Sequence, residues 1–226
     1  HEDEQIDVPS EFKWAPAIEH YAWEHIDALK AVTPRKPLPR MKDILTSLYD
    51  VSEADYFIYS NLDIGLYPSF YLEVKALIEQ GYDAFCINRR DLPKDYRGIQ
   101  LDETKSELIF SLEGKPHPGI DCFLFKREIL PRLELGNVYV GFPPVGKVLK
   151  TQIDKHSQNP TWIKDRHLTF HLGKDALWKA SQNAYAEENR QQAQGLFVRP
   201  RTGSRYKLKI RLLRWLRKLM RQVERL

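Results

Sequence analysis

The chain has 226 residues, of which 42% are hydrophobic and 29% charged, with a formal net charge of +4. This length suits one large domain or two small ones, and the composition is that of a globular protein. No apolar run approaches the roughly eighteen residues that a membrane-spanning helix needs, and the start shows no cleavable signal pattern, which argues against an integral membrane protein.

The first part of the chain predicts helices that lead into a strand. A loosely helical stretch is indicated over Ala17–Leu29, followed by a basic loop rich in proline. Apolar residues at helical spacing then predict a helix over Met41–Val51, and a strand over Tyr56–Ser60. The strand is followed by Asn-Leu-Asp-Ile-Gly, which puts Asp63 where open α/β sheets bind ligands, at the carboxyl end of a strand.

A second helix and strand follow. Pro68 is placed as the first helical residue, and Gly81 supplies the stop. A buried strand, Ala84–Asn88, comes next and ends in Arg89-Arg90. Strand, helix and strand over this length indicate a βαβ unit with parallel pairing.

The second half predicts short strands and a separate tail. The predicted elements are strands at Glu107–Leu112, Asp121–Phe125 and Asn137–Val140, a short helix near Arg127–Leu133, an amphipathic segment over Val148–His156 and a helix containing Trp178. No internal repeat is seen. We expect one domain over residues 1–180, a polar linker over 181–204 and a basic amphipathic helix over 205–226.

The tail carries an extreme charge. From Arg199 to Leu226 there are eleven Lys or Arg and one acid, a net charge of +10, whereas the rest of the chain has a net charge of −6. Apolar residues recur in it at spacings of three and four, which is typical of a helix lying on an anionic membrane face. Docking onto the body or a partner would satisfy the same pattern, and nucleic acid, the less favoured partner, would attract the same charge.

The two cysteines, Cys86 and Cys122, lie in apolar runs. Such thiols behave as small buried hydrophobes, so we expect both to be reduced. A reducing cytosol is the simplest compartment, although two cysteines suffice for one disulfide. We therefore expect a cytoplasmic protein whose tail holds it on the inner face of the membrane.

Two residues are candidate metal ligands. Mn²⁺ or Mg²⁺ bound to a diphosphate needs one or two carboxylates, sometimes an imidazole, and otherwise takes phosphate oxygens and water. Asp63 and His171, which lies in Thr-Phe-His-Leu-Gly, could supply that partial shell. The alternative for Asp63 is a turn residue before Pro68.

Three further residues are candidates for catalysis or phosphate binding. Asp121 follows a His-Pro-Gly-Ile turn and could serve as a general base, or could be a turn acid. Arg89 and Arg90 could bind phosphate through their guanidinium groups, or could be solvated charges that end an edge strand.

Together these residues resemble a family. One stretch looks like the metal-binding segment of glycosyltransferases of the GT-A fold. It consists of a strand, the sequence Asn-Leu-Asp-Ile-Gly, a helix and a second strand that ends in Ile-Asn-Arg-Arg. His-Pro-Gly-Ile-Asp-Cys-Phe-Leu-Phe and Thr-Phe-His-Leu-Gly are similar to segments of small glycosyltransferase-like proteins. The resemblance covers about Met41 to Trp178.

The resemblance implies a GT-A-like (Rossmann-like) α/β fold, with a mixed, mainly parallel sheet flanked by helices. Asp63 and His171 would bind the metal, Asn61 would stand where the first Asp of the motif is usual, and Asp121 would be the base. The fold normally opens with a strand that grips the nucleotide base, and this sequence, which starts at His1 without an initiator Met, shows no such strand. Either that strand is missing from this chain or the site lacks it.

The function implied is transfer of a sugar from a nucleotide-sugar donor to a hydroxyl of a glycan or lipid-linked acceptor, with Mn²⁺ or Mg²⁺ as the cofactor. One alternative is a metal-dependent phosphoesterase that uses Asp63, Asp121 and His171. Another is a non-catalytic adaptor that binds membrane or nucleic acid through the tail.

Overall fold

The computed structural model describes residues 10–33, 35–96, 103–172 and 183–197. The α-helices of this part are α1 Ala22–His25, α2 Asp27–Lys30, α3 Met41–Val51, α4 Phe70–Glu79, α5 Glu103–Ser111, α6 Val145–His156 and α7 Asn183–Gln192. The strands are β1 Tyr56–Ser60, β2 Ile64–Leu66, β3 Ala84–Asp91, β4 Lys115–Lys126, β5 Pro160–Ile163 and β6 Thr169–His171. Two 3₁₀ helices span Lys94–Tyr96 and Arg127–Arg132.

The strands form one mixed sheet in the order β1-β4-β3-β6-β2, with β5 also pairing with β3. The first half of β3 pairs in parallel with β5, and its second half pairs in parallel with β6. The long strand β4 lies antiparallel between β1 and β3. β2 is the last strand at the other end of this order and pairs antiparallel with β6.

The predicted class, a mixed sheet with flanking helices, is therefore confirmed, but the predicted pairing is wrong. β1 and β3 run in the same direction but do not touch, because β4 is inserted between them. Among the described strands, three of the five pairings are antiparallel, so the sheet is not mainly parallel. The apolar residues of β4 are buried on both faces, as a central strand requires.

Helices pack on both faces of the sheet because β3 and β4 alternate their apolar residues between the faces. On one face, Cys86 and Phe123 pack with Leu45 of α3 and Leu149 of α6. The other face places residues of β3 and β4 against α4, in a cluster that contains Phe70, Leu77, Phe85, Ile87 and Leu124. These two cores hold β1, β3 and β4 rigidly, and thereby fix the strand ends that carry the candidate residues.

Most of the first-half elements match their predictions. α3 and β1 have the predicted bounds, and β3 continues three residues beyond its predicted end. α4 begins at Phe70 rather than Pro68, and the chain leaves it through Gly81, whose φ is +85°. Ala17–Leu29, predicted as one loose helix, instead contains α1 and most of α2.

Two predicted strands are wrong. Glu107–Leu112 lies mostly in α5. Ile109 is buried while Leu108 and Phe110 remain partly exposed, so only one face of this apolar helical segment packs against the body. Asn137–Val140 is irregular and makes only a bridge, between Tyr139 and Arg40. Tyr139 is nevertheless fully buried. The apolar run therefore marks a buried segment that is not part of the sheet. The short strands β2, β5 and β6 were not predicted.

The polar stretch predicted as the start of a linker is in fact α7, packed onto the body. The side chain of the buried Asn189 accepts a hydrogen bond from the Tyr139 amide and donates to the carbonyls of Tyr139 and Phe142. Tyr185 and Ala186 complete the contact. The helix predicted around Trp178 and the basic helix over 205–226 lie outside the described residues, and no described helix is both long and apolar enough to span a bilayer.

Candidate functional site

The site forms where β1 ends. The chain turns after Ser60, and the Asn61 amide donates to the carbonyl of Asp121 on the neighbouring strand β4, at 3.3 Å. The Ile64 amide then donates back to the Asn61 carbonyl, at 3.2 Å, and β2 begins. This tight turn projects Asn61, Leu62 and Asp63 from the sheet.

Asp63 and His171 are in direct contact. Nε2 of His171 lies 2.8 Å from Oδ2 of Asp63, and the Leu172 amide donates to the Asp63 carbonyl at 2.8 Å. The imidazole is 8% exposed and the carboxylate 48% exposed. The pairing of β2 with β6, which places Ile64 opposite His171, produces this contact.

Asp121 is held by two of the other candidates. Its Oδ1 accepts a hydrogen bond from the Asn61 amide side chain at 3.2 Å, and its Oδ2 lies 2.7 Å from Nη1 of Arg89. Between the pairs Ile87–Cys122 and Asn88–Ile120, Asp121 has no partner on β3, so it is the extra residue of a β-bulge. Bulges re-aim side chains beside functional sites.

Asp91 is a member of this cluster that the sequence did not indicate. It lies opposite His171 in the parallel pairing of β3 with β6, and its Oδ1 accepts from Nε of Arg89 at 3.1 Å. Arg89 thus lies between the carboxylates of Asp91 and Asp121. Asp91 lies two residues after Arg89, so in an extended strand the two side chains lie on the same side. This spacing is the sequence signal from which Asp91 could have been predicted.

Arg90 does not join the cluster. Its guanidinium is buried and donates to the carbonyls of Glu113 and Gly114 in the turn between α5 and β4. Neighbouring residues of a strand point to opposite faces, which explains why Arg89 and Arg90 separate. Arg90 was considered either as a phosphate ligand or as a solvated charge at a strand end; its buried guanidinium instead anchors a turn.

His117 also makes a local contact, within β4. Its Nδ1 accepts a hydrogen bond from the Gly119 amide at 2.8 Å. A Cβ at Gly119 would lie 2.6 Å from that nitrogen and 3.3 Å from Oδ2 of Asp121. Glycine therefore suits this position of β4, where a larger residue would meet the His117 ring and the Asp121 carboxylate.

The cluster carries an excess of negative charge. Asp63, Asp91 and Asp121 oppose the single guanidinium of Arg89, which leaves a formal charge of −2 without His171. The hydrogen bond from His171 lowers the pKa of Asp63, and burial opposes that effect. Burial, with the nearby Asp121 carboxylate, raises the pKa of Tyr59 to about 12. A surplus of carboxylate charge in a partly buried site favours a bound cation.

Asp63 and His171 fit a divalent cation that takes only two protein ligands. Two ligands at about 2.1 Å and at right angles are about 3.0 Å apart, close to the observed 2.8 Å. The half-exposed carboxylate leaves room for phosphate oxygens and water. However, the buried Nδ1 of His171 has no hydrogen-bond partner in the described structure, so it lacks the supporting contact usual for a metal-bound imidazole.

A cation site built by the protein alone is a poorer fit. No group of three or more His, Cys, Asp or Glu in the described residues could hold a metal ion. Comparison of the chain with protein-family models, with curated proteins and with solved structures found no match.

Proposed function

We propose that the chain is a GT-A-like glycosyltransferase, which moves a sugar from a nucleotide-sugar donor to a hydroxyl of a glycan or lipid-linked acceptor. The observation that carries this proposal is the contact between Asp63 and His171. The two residues are 108 positions apart in the sequence, yet their side chains meet at 2.8 Å. The resemblance implied both as ligands of one cation, which would require this proximity.

The surroundings of the contact also support the proposal. Ligands of α/β sheets bind beyond the carboxyl ends of the strands, and Asp63 follows the carboxyl end of β1. Asp91 lies at the carboxyl end of β3 and is connected to the same turn by hydrogen bonds. Arg89 bonds to both Asp91 and Asp121, and Asp121 bonds to Asn61. The polar groups of two parallel strand ends therefore converge on one place.

Asp63 and His171 would hold Mn²⁺ or Mg²⁺. When bound, the cation would neutralise charge on the departing nucleoside diphosphate. The exposed half of the Asp63 carboxylate faces the space where such a ligand would bind, and the buried His171 fixes its orientation. The acidic cluster would raise the local concentration of cations.

Asp121 would accept the proton of the acceptor hydroxyl. Each of its oxygens already accepts one hydrogen bond, from Asn61 or from Arg89, and each retains another lone pair. These two contacts fix the direction of the carboxylate, which a base in a transfer reaction requires. Arg89, committed to Asp91 and Asp121, would act first as a positioning residue, and would meet phosphate only through its remaining donors.

The basic tail would place the enzyme on an anionic membrane, where lipid-linked acceptors reside. This part of the proposal rests on the sequence of residues 205–226 alone. Deletion of Arg205–Leu226 should abolish binding to vesicles that contain phosphatidylglycerol. The same deletion should leave nucleotide binding by the body unchanged.

The test of the donor site is the thermal stability of the full chain with UDP, GDP or dTDP, each with and without Mn²⁺. A ligand that binds the native state at a hundred times its Kd adds about 2.7 kcal/mol to the free energy of unfolding. We expect one nucleotide to raise Tm only with Mn²⁺, and the Asp63→Ala variant to lose this rise. Asp50→Ala, which alters an exposed carboxylate on α3, is the matched control and should retain it.

The other functions predict different results. A phosphoesterase would release phosphate from p-nitrophenyl phosphate in an Asp63-dependent reaction without an acceptor. An adaptor would show no metal-dependent nucleotide binding, while its vesicle binding would survive Asp63→Ala. Either result, in place of the nucleotide-dependent shift, would overturn the proposal.

A further inference from the structure

A cavity of about 470 Å³ lies between the start of α4 and the end of α5. This volume is within the range of small-molecule sites. The side chains that give it chemical character are Tyr67, Ser69, Phe110, Ser111, Glu113 and His167. None of them belongs to the cluster around Asp63, and the proposed transfer reaction uses none of them.

The cavity is on the other side of β6 from the Asp63 site. His171 points towards Asp63, whereas the preceding Phe170 points towards the aromatic cluster beneath the cavity, where Tyr67 packs edge-on against it at 4.9 Å. Gly65 allows this arrangement, because a Cβ there would lie 2.3 Å from the Phe170 ring. The cavity is therefore a separate place from the site of the proposed donor.

Its walls combine aromatic rings with hydrogen-bonding groups. Tyr67 and Phe110 supply the rings, and Phe110 is 37% exposed although it is a large apolar residue. Ser69 and Ser111 supply hydroxyls, and Glu113 is the one acid. No Lys or Arg occurs among the described residues that line the cavity, and the nearest cation, Arg90, already lies 3.9 Å from the Glu113 carboxylate, so the lining offers an anionic ligand no cation of its own.

The walls are also organised in advance. The Tyr67 hydroxyl donates to the Leu112 carbonyl at 3.1 Å, and Nε2 of His167 lies 2.9 Å from the Glu113 carbonyl. His167 has a φ of +48° and Asp165 a φ of +53°, conformations that non-glycine residues rarely adopt. Such strain collects at ligand-binding positions, where the surrounding contacts maintain it.

We propose that this cavity binds a saccharide unit, as a second subsite for the acceptor glycan. A sugar ring has an apolar face that packs on an aromatic ring and a rim of hydroxyls that bond to Ser, Glu and His side chains. It is uncharged, which suits a lining that contains no Lys or Arg. The choice of a sugar over another uncharged ligand rests on the proposed function, because a glycosyltransferase must hold a glycan, and a site beyond the reacting sugar would select its length.

The test measures sugar binding without donor or metal, so it does not depend on the transfer reaction. Saturation-transfer NMR on the full chain in EDTA would use methyl glycosides of glucose, galactose, mannose and N-acetylglucosamine, and their disaccharides, as probes. We expect signals from the ring protons of at least one probe. Phe110→Ala should raise its Kd by about tenfold, because it removes the exposed ring.

Two variants separate binding from folding. Phe110→Tyr keeps the ring and should keep the affinity within about twofold, whereas Leu108→Ala removes an exposed apolar residue of the same helix that does not line the cavity, and should have no effect. The inference is overturned if no probe binds at millimolar concentration, or if Phe110→Ala binds as the wild type does. It is also overturned if Asp63→Ala abolishes the binding, since the sugar would then occupy the other site. Loss of the nucleotide-dependent Tm shift with sugar binding intact would instead refute the donor site.

Discussion

Nη1 of Arg89 lies 2.7 Å from Oδ2 of Asp121, and both side chains are only 15% exposed. The same guanidinium bonds to Asp91, so one cation is shared by two partly buried carboxylates. An ion pair with this little exposure differs from those on the surface, because removal of one partner leaves a charge with little water to solvate it.

We therefore expect Arg89→Met to reduce the free energy of unfolding by about 2 kcal/mol, below the range for fully buried pairs because some solvent remains. Urea denaturation would measure the change. Asp121→Asn should cost less in the Arg89→Met background than in the wild type. Arg190→Met, at an exposed pair with Glu187, should have no measurable effect. Equal losses for Arg89 and Arg190 would refute this account.

Gly65→Ala should destabilise the protein by about 1–3 kcal/mol, the usual cost of overpacking. The new methyl group would lie 2.3 Å from the ring of Phe170, which is 1% exposed and has no free space to enter. Equilibrium unfolding in urea would measure the loss. Phe170→Leu in the same chain should restore part of it, and a loss that persists unchanged would show that the ring is not the obstacle.

Asn189→Leu should lower the free energy of unfolding by about 2–4 kcal/mol, because buried backbone groups of Tyr139 and Phe142 would lose their hydrogen bonds. Gln191→Leu, at an exposed position of the same helix, is the control. If both variants unfold at the wild-type urea concentration, α7 is not part of the cooperative body.

Stability should fall on acidification through His156. Burial lowers the pKa of its imidazole from the ordinary 6.5. Because the unfolded chain then binds a proton more readily than the folded one, the contribution of His156 is intact above pH 6.5 and is lost as the pH falls towards the folded pKa. His156→Gln should flatten the dependence between pH 7.5 and 5, whereas His25→Gln should not. An NMR titration in which His156 has a pKa of 6.5 or above would contradict the prediction.

Both cysteines should resist thiol reagents in the native protein. Burial raises the pKa of Cys86 and of Cys122 to about 12, so little thiolate exists at pH 8. They belong to the cores on opposite faces of the sheet, which separates their side chains. We expect no reaction with Ellman's reagent until urea is added, and then two thiols per chain. Rapid labelling without urea would show that one of the faces opens.

The sequence predicted those elements whose burial pattern is local. α3 has the expected bounds because its apolar residues repeat at helical spacing, whereas β1 and the end of β4 were recognised as short apolar runs. Glu107–Leu112 was taken for a strand because a short apolar run has no period that separates a strand from a helix. The polar composition of α7 concealed its packing, which depends on Asn189 and on partners about fifty residues away.

For the site, candidate residues could be predicted from the sequence, but the contacts between them could not. Asp63 and His171 were proposed as ligands of one cation from their residue types and again from the resemblance, and the pairing of β2 with β6 brings them into contact. Arg89 and Arg90 looked equivalent in the sequence, and the alternation of the strand separated them. The insertion of β4 between β1 and β3 could not be foreseen, because strand order depends on long-range pairing that no local pattern records.

The end of α7 and the candidate site both contact one helix, α6. The last described residue, Phe197, lies beneath Nζ of Lys147 at 4.8 Å, and the Leu196 carbonyl accepts from Gln152, so this described stretch ends on the flank of α6. The first turn of α6 abuts the carbonyl of Ile120, next to Asp121. The two regions therefore depend on the position of α6, and a displacement of that helix would alter both the packing at the end of α7 and the bulge at Asp121.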